Sequence, residues 1–469
     1  MATTPFNSIH RHCVAVKTLF WIEGALSLML TNYKEPTLQR EIPYYNILSA
    51  SVDASNLVIG YAHEKNKDAF EASVLEFAIH KDQQDAIKTW IEKLLDLAYG
   101  KTPRQRRIKV LINPKGGVGK APHLYKQEIA PIFKLAGAEV DVEVTQHVGH
   151  ARQIAKEIDP DAWDVIACAS GDGTPHEVFN GLADHEQPRK ALSKIAVVQL
   201  PCGSGNAMSL NLLGTAIPSR AALATIKGTR IPFDLASVTQ GEKRYISFLS
   251  QAVGIVADSD LGTEHLRWMG PVRFEIGFLI RLLGKTLYPV EVWLGVESGD
   301  KMAIRESFRK EASLISSYER PPSDSDDLPP LRFGTVKDDV PADWTHIDYK
   351  NMGNFYCGNM GFMTADANFF PCALPCDGKL DLLTVDGDIP RRRGMNLLTS
   401  LVKNQLWDQP EVTFRKLKGF RIIPKAKSGY ISIDGEHMPF EPFQVEVHQG
   451  LGTVLSSFGR LYNTQTALL

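Results

Sequence analysis

Between residues 108 and 200, short apolar runs alternate with longer stretches whose apolar positions recur at helical spacing. Residues 108–112, 138–145, 163–169 and 195–200 read as strands. The first leads through a Gly-rich turn into a helix ending near Leu135. The second leads to a helix over 149–158, and the third through another Gly turn to a helix holding Val178 and Leu182. The fourth again runs into a Gly turn. Strands alternating with helices in this way predict βαβ units and a doubly wound parallel sheet, an α/β fold that binds its ligand at the strand C-termini. The texture differs on both sides. Upstream, runs at 14–17, 25–28, 47–52 and 57–62 read as strands. They precede a helix over 82–99 in which Ile87, Trp90, Ile91, Leu94, Leu95 and Leu97 recur at helical spacing. Downstream of Ile231, runs at 235–238, 244–248, 290–296, 380–385 and 429–433 predict a mostly antiparallel β domain.

A chain of 469 residues exceeds one ordinary core, so we expect three domains, at 1–100, 101–231 and 232–469. Strands closed by one Trp-bearing helix make the first resemble a pleckstrin-homology-like (PH-like) barrel, with an unrelated small α+β domain as the alternative. Residues 101–107 are basic and form either a solvated connector or a contact to acidic lipid heads. Residues 316–340 are rich in Pro, Ser and Asp and read as a disordered surface insertion. A net charge of −2 lacks the basic excess of a nucleic-acid binder. Cys13, Cys168, Cys202, Cys357, Cys372 and Cys376 form no C-x-x-C pair and no zinc spacing, so they are expected as reduced thiols of a cytosolic protein. The N-terminus lacks a charged-then-apolar signal pattern. The longest apolar stretch, 276–296, is broken by Arg281, Lys285 and Glu291, short of the roughly 20 apolar residues that span a bilayer. A lipid substrate would therefore be met from the water side, by a cytoplasmic protein peripherally associated with membranes.

Three Gly-rich turns carry the candidate chemistry. The first runs from Asn113 to Lys120 (NPKGGVGK). Its Gly116, Gly117 and Gly119 let backbone N–H groups approach phosphate, and Lys115 adds charge. It lacks Walker A spacing. The second is Ser170, Gly171, Asp172, Gly173 and Thr174, running into Pro175, which suits a first helical turn, and Glu177. It delivers a glycine-flanked carboxylate to the sheet edge. The third is PCGSGNA, in which Gly203 and Gly205 permit close approach while Ser204 and Asn206 offer hydrogen bonds to phosphate or ribose.

The runs SGDGTPHEVFNGL and PCGSGNAMS resemble the diacylglycerol-kinase catalytic superfamily, and within it the sphingosine (sphingoid long-chain-base) kinases, over roughly residues 105–465. The resemblance implies ATP and Mg²⁺ as cofactors and a sphingoid base as substrate. It implies nucleotide contacts at Asn113, Lys115, Gly116, Gly117, Gly119, Thr145 (with His150 in the same block), Ser170, Gly171, Gly173, Thr174, Gly203, Ser204, Gly205, Asn206, Arg267, Arg273, Asp434, Gly435 and Glu436. It implies a general base at Asp172 with Glu177 behind it, and a DGE block, Asp434, Gly435 and Glu436, near the catalytic centre. Asp260, in ADSDL, matches the carboxylate that binds the substrate amine. Lys115 stands where many relatives have Arg. Asp377 opens a matching DGKLD run to which we assign no role.

A triphosphate needs Gly-loop N–H groups, cations and Mg²⁺. Asp172 either accepts the proton of the attacking hydroxyl or ligates the metal; sequence does not separate these. Glu177 supports Asp172 or holds Mg²⁺ through water. Asp260, flanked by Ile255, Val256 and Leu261, would select an ammonium-bearing acceptor. Phe274, Ile276, Phe278, Leu279 and Leu282 line a tail pocket or simply form core. A diacylglycerol or ceramide kinase, an NAD kinase and a catalytically silent lipid-binding adaptor are the alternative functions, and a homodimer stays open.

Overall fold

The computed structural model describes residues 6–8, 16–22, 25–31, 36–53, 55–65, 69–80, 84–117, 119–263, 277–281, 284–314, 318–322 and 325–462. Its contacts divide the chain into two compact units. The first holds residues 1–108, 123–140 and 217–228, and the second the remainder.

In the first unit, β1 (Phe6–Ser8), β2 (Val16–Ile22), β3 (Ala25–Thr31) and β4 (Pro36–Pro43) form an antiparallel four-stranded meander. A second meander joins β5 (Ile47–Asp53), β6 (Asn56–Glu64) and β7 (Phe70–Ala78). Helix α1 (Gln84–Tyr99) buries Ile87, Trp90, Ile91 and Leu94, as its periodicity predicts, and leaves Leu97 exposed. At the end of a later helix of this unit, Lys227 Nζ donates to Ile47 O (2.6 Å) and Ala98 O (3.0 Å). Burial lowers its pKa to about 7.

The α/β part of the chain begins with β8 (Arg107–Ile112). Helices α2 (Ala121–Leu124) and α3 (Ala130–Leu135), joined by one π turn, lead to β9 (Glu139–Val144). Then come α4 (His150–Glu157), β10 (Val165–Ser170), α5 (Gly173–Ala183), α6 (Pro188–Lys194), β11 (Ala196–Pro201), α7 (Ala207–Leu213) and α8 (Pro218–Lys227). The strand order is β9-β8-β10-β11, so the chain reverses direction across the sheet between β8 and β10. That is the switch point where doubly wound folds open a ligand crevice. Strands β10 and β11 pair in parallel and bury every residue, as strands covered on both faces must.

The second half is mostly antiparallel. It comprises β12 (Thr229–Gln240), β13 (Lys243–Ser247), β14 (Ser250–Gly254), α9 (Ile255–Leu261), β15 (Val290–Ser298), α10 (Lys301–Ala312), β16 (Thr345–Tyr349) and β17 (Met352–Gly358). It continues with β18 (Phe362–Thr364), β19 (Ala367–Asn368), β20 (Leu380–Asp386), α11 (Arg391–Val402), β21 (Val412–Pro424), β22 (Ile431–Ile433), β23 (Glu436–Met438) and β24 (Phe443–Ser456). Apart from the β18–β19 pair, these strands do not form a separate sheet. Strand β24 pairs antiparallel with β12 and β21 and parallel with β11, at Val197↔Val454, so parallel and antiparallel regions are one continuous sheet. Phe355, Phe420 and Phe443 fill the antiparallel core with Val253, Val292 and Leu382.

The insertion departs from its expected disorder. Residues 325–340 have no helix or strand, yet they are bound to the sheet as a strap. Glu446 accepts the N–H groups of Arg332 and Phe333 (3.0 Å each), and the Gln444 amide donates to Phe333 O and Gly334 O (2.9 Å each). Just upstream, Arg320 donates to Gly450 O (2.7 Å) and Gly452 O (2.8 Å). The strap has few apolar residues because the sheet supplies its polar partners. The DGKLD run is structural as well: buried Lys416 Nζ bonds Asp377 (3.0 Å), Asp381 (2.8 Å) and Cys372 O (2.8 Å).

Candidate active site

Three loops leave the C-terminal ends of β8, β10 and β11. The N–H of Asn113 donates to Ala169 O (3.2 Å), which ties the first loop to the strand that carries the second. The loops then meet through their glycines. A Cβ on Gly203 would stand 2.3 Å from Gly171 Cα, one on Gly117 3.1 Å from Gly203 Cα, and one on Gly171 3.0 Å from Gly205 O. Only glycine lets three backbones converge at such spacing. Gly117 and Gly119 also adopt positive φ, 59° and 74°.

The polar residues of these loops divide into two groups. Lys115 and Ser204 are exposed, together with Gly117 and Gly119, while Gly116 is half-buried. Other residues expected to touch nucleotide instead shape the loops. Ser170 is fully buried, its hydroxyl donating to Gly171 O (2.8 Å), and Thr174 is buried too. Asn206 closes on Gly203 from both sides, donating to its O (3.0 Å) and accepting from its N (3.2 Å). Asn113 accepts the N–H of Lys115 (3.0 Å). Thr145 is buried beside the end of β8, bonded to Ile112 O, and His150 accepts from Gln146 N (3.2 Å).

Asp172 lies where the second and third loops touch. Its Oδ2 accepts the N–H of Ala207 (2.9 Å) and its Oδ1 that of Met208 (3.0 Å), so it binds the first turn of α7 and is held rigidly. Burial raises its pKa; the bonds from Met208, Ala207 and Gln199 oppose that, and the charge of Asp434 adds to it. The net effect is a carboxylate more basic than usual.

Glu177 behaves differently from expectation. Its two oxygens accept the N–H groups of Gly149 (3.0 Å) and Ala151 (3.1 Å), so it caps α4 rather than backing Asp172. Asp434 also departs from the expected nucleotide contact. It is 2% exposed and takes five donors: Ser247 Oγ (2.6 Å), the N–H groups of Phe248, Leu249 and Ser250, and His176 Nδ1 (2.8 Å). Its φ of 54° bends the β22–β23 hairpin. Both corrections share one cause: a carboxylate between helix and strand ends is claimed by nearby backbone donors.

The hairpin then reaches both the second glycine loop and α9. Glu436 Oε1 lies 2.8 Å from where a Cβ on Gly173 would stand, and Asp260 Oδ2 lies 4.0 Å from the same point on Gly435. Asp258, the other acid of ADSDL, is bound to Arg281 (2.9 Å) and Tyr288 (2.7 Å). Sequence reasoning gave no role to His176, although it stands in the quoted helix, nor to Ser247 and Ser250.

Comparisons with known proteins agree with this arrangement. Residues 107–238 match the diacylglycerol kinase catalytic domain, and residues 17–100 match a domain of unknown function (DUF7493). The chain is 34% identical to sphingoid long chain base kinase 4 of Schizosaccharomyces pombe over 88% of each protein. The chain belongs to the sphingoid long-chain-base kinase family. It is also 34% identical to sphingoid long chain base kinase 5 of Saccharomyces cerevisiae, over 82% of this chain and 64% of that one. Its identity to human sphingosine kinase 1 is 28%, over 74% and 90%. The fold is that of a protein assigned as a diacylglycerol kinase from Bacillus anthracis str. Sterne, with a TM-score of 0.51 at 18% identity, covering 75% of this chain and 97% of that one.

In this lipid kinase an apolar cavity of about 70 Å³ opens beside α9. Ile255 and Val256 line it, with Phe369, Leu383, Leu397 and Leu401. Of the residues expected at the tail, Phe278 lines the cavity and Leu279 is exposed. Arg267, Arg273, Phe274, Ile276 and Leu282 lie outside the described residues. The α11 leucines were missed because their spacing alone reads as ordinary core. The kinase has no helix, among the described residues, long and apolar enough to cross a membrane.

Proposed function

We propose that this kinase transfers the terminal phosphoryl group of ATP to the primary hydroxyl of a sphingoid base, with Asp172 as general base and Asp260 as the ammonium partner. The observation that carries this is the placement of two carboxylates around one hairpin. Asp172 sits among converging glycine loops, and Asp260 sits on the helix that opens the apolar cavity. The glycine cradle, where a Cβ would collide, fits a triphosphate, and exposed Lys115 and Ser204 are placed to meet it. Arg267 and Arg273 remain the proposed further cations.

Asp172 also fits Mg²⁺. Its oxygens accept the N–H groups of Ala207 and Met208, one each, with the Gln199 side chain also near, and a carboxylate with about four acceptor sites keeps room for an ion that favours one or two carboxylates plus phosphate oxygens. Bound with the nucleotide, Mg²⁺ would neutralise charge on the phosphates. The protein's own contribution is positional. Asp172 is fixed by α7, its raised pKa favours taking the hydroxyl proton, and the apolar wall excludes water from the chain of the lipid.

The surroundings of the cavity suit a bilayer surface. Leu279, Ile280 and Leu287 are exposed next to lining residues, and α11 exposes Met395 and Val402 after opening with Arg391, Arg392 and Arg393. An apolar rim with a basic edge fits an anionic membrane. The two meanders closed by α1 match the strand count and closing helix of a PH-like domain.

The test is a lipid panel with radiolabelled ATP. Sphinganine should gain phosphate while diacylglycerol and ceramide, which lack the ammonium, should not. Asp172→Asn should stay folded by circular dichroism and lose nearly all turnover. Equal labelling of neutral acceptors, or normal turnover of the variant, rejects the reading.

A further inference from the structure

Tyr356 stands on β17, packed against the cavity-lining Phe369 and close enough to Asp260 and Asp172 for their charges to act on it, and nothing in the reaction described so far uses it. It is 5% exposed. Its ring faces the tail side. Asn354, two residues earlier on the same strand face, lines the cavity, as does Leu383, its partner across β20. The ring also packs on Phe369 and Phe370, centroids 5.0 Å away in each case, and Phe369 is itself a lining residue.

The hydroxyl faces the head side. It donates to Ser250 Oγ over a long 3.4 Å, and the Ser250 N–H in turn donates to Asp434 (2.9 Å). Burial pushes the phenol pKa well up, and the charges of Asp260, then Asp172 and Asp434, add to that. The group therefore stays protonated and remains a donor. A buried phenol ordinarily has a well-formed partner, and the bond to Ser250 is at the limit of length.

We propose that the Tyr356 hydroxyl hydrogen-bonds the C3 hydroxyl of the bound sphingoid base, making Tyr356 a specificity-determining residue for the head group. This rests on the kinase reading above. Along such a base the polar groups run C1 hydroxyl, C2 ammonium, C3 hydroxyl, and then the chain. With C1 at Asp172, the ammonium at Asp260 and the chain in the cavity, the C3 oxygen falls between Asp260 and the cavity wall. Tyr356 occupies that position. Asp434 cannot serve there, because its oxygens already take five donors.

Tyr356→Phe keeps the ring and removes one oxygen. The measurement is kcat/KM of wild type and variant on sphinganine and on 2-aminooctadecan-1-ol, which has the same chain and no C3 oxygen. Wild type should favour sphinganine, and in the variant that preference should fall about tenfold. Both substrates meet the same enzyme, so the ratio does not depend on how much variant folds. Loss of activity by the same factor on both compounds, or an unchanged ratio, overturns the assignment of Tyr356 alone. A wild-type enzyme that phosphorylates neither compound overturns the kinase reading, and this inference with it.

Discussion

Asp258 and Asp260 are two positions apart on one helical turn; Asp258 is bound to Arg281 and Tyr288, and Asp260 approaches the hairpin at Gly435. The proposed function assigns selection of the amine to Asp260. Asp260→Asn should lower kcat/KM on sphinganine at least tenfold more than on a neutral long-chain alcohol, since only the amine loses a charge partner. Equal losses on both acceptors would remove Asp260 from the head-group site. At this scale the sequence was informative about residue type and less so about role. The position of Asp172 at the end of β10 was legible because glycine on both sides of an acid marks a tight strand-to-helix turn. Glu177, Ser170 and Asp434 were not, since whether a polar side chain faces ligand or backbone depends on donors far away in the chain. Asp434 takes its five from residues 176 and 247–250.

Elements meet here through loops whose contacts leave little slack. Gly203 has no room for a methyl group, because Gly171 backbone lies 2.3 Å from where it would sit. Gly203→Ala should separate the second and third loops and lower kcat/KM for ATP roughly a hundredfold, the scale of a misplacement of about 1 Å. ATP kinetics that match wild type would show that the loops tolerate separation. A second junction, between α5 and the β22–β23 hairpin, is the His176–Asp434 pair. Burial alone would lower the imidazole pKa, but the bond and charge of Asp434, with Glu436 and Glu177 nearby, raise it. A folded value above the unfolded one, about 6.5, means that the stabilisation is complete below that pH and fades as pH rises through the folded value. The gap in thermal midpoint between wild type and His176→Asn should thus be widest below about pH 6.5 and narrow as pH rises above it. A gap that ignores pH would argue for a neutral hydrogen bond. The βαβ alternation was readable because apolar runs and Gly turns are local signals. Strands β1, β4 and β7 were missed in the first unit, and the strap was misread. Few apolar residues do signal disorder, unless a neighbouring strand offers Glu446 and Gln444 as anchors.

For the molecule as a whole, an enzyme with no membrane-crossing helix among its described residues must reach a substrate that resides in membranes. Replacing Arg391, Arg392 and Arg393 with Glu should weaken binding to vesicles rich in anionic lipid roughly a hundredfold, at about 1 kcal/mol for each basic residue near the surface. Sedimentation with neutral and anionic vesicles reads this directly, and equal binding of variant and wild type to both would place the membrane face elsewhere. Three-domain reasoning from composition did not anticipate that one sheet runs through both catalytic and lipid-binding regions. The cause is a single strand, β24, and no local pattern announces which strands a segment will join. Every other strand of that sheet precedes β24 in the chain, and β24 lies between β11 and β21. A ribosome therefore finishes each glycine loop, Asp172 and Asp260 long before the slot beneath them is filled. Competence should arrive abruptly, late in translation, when residues 443–456 emerge, and a protease cut just ahead of Phe443 should silence nucleotide and lipid handling together.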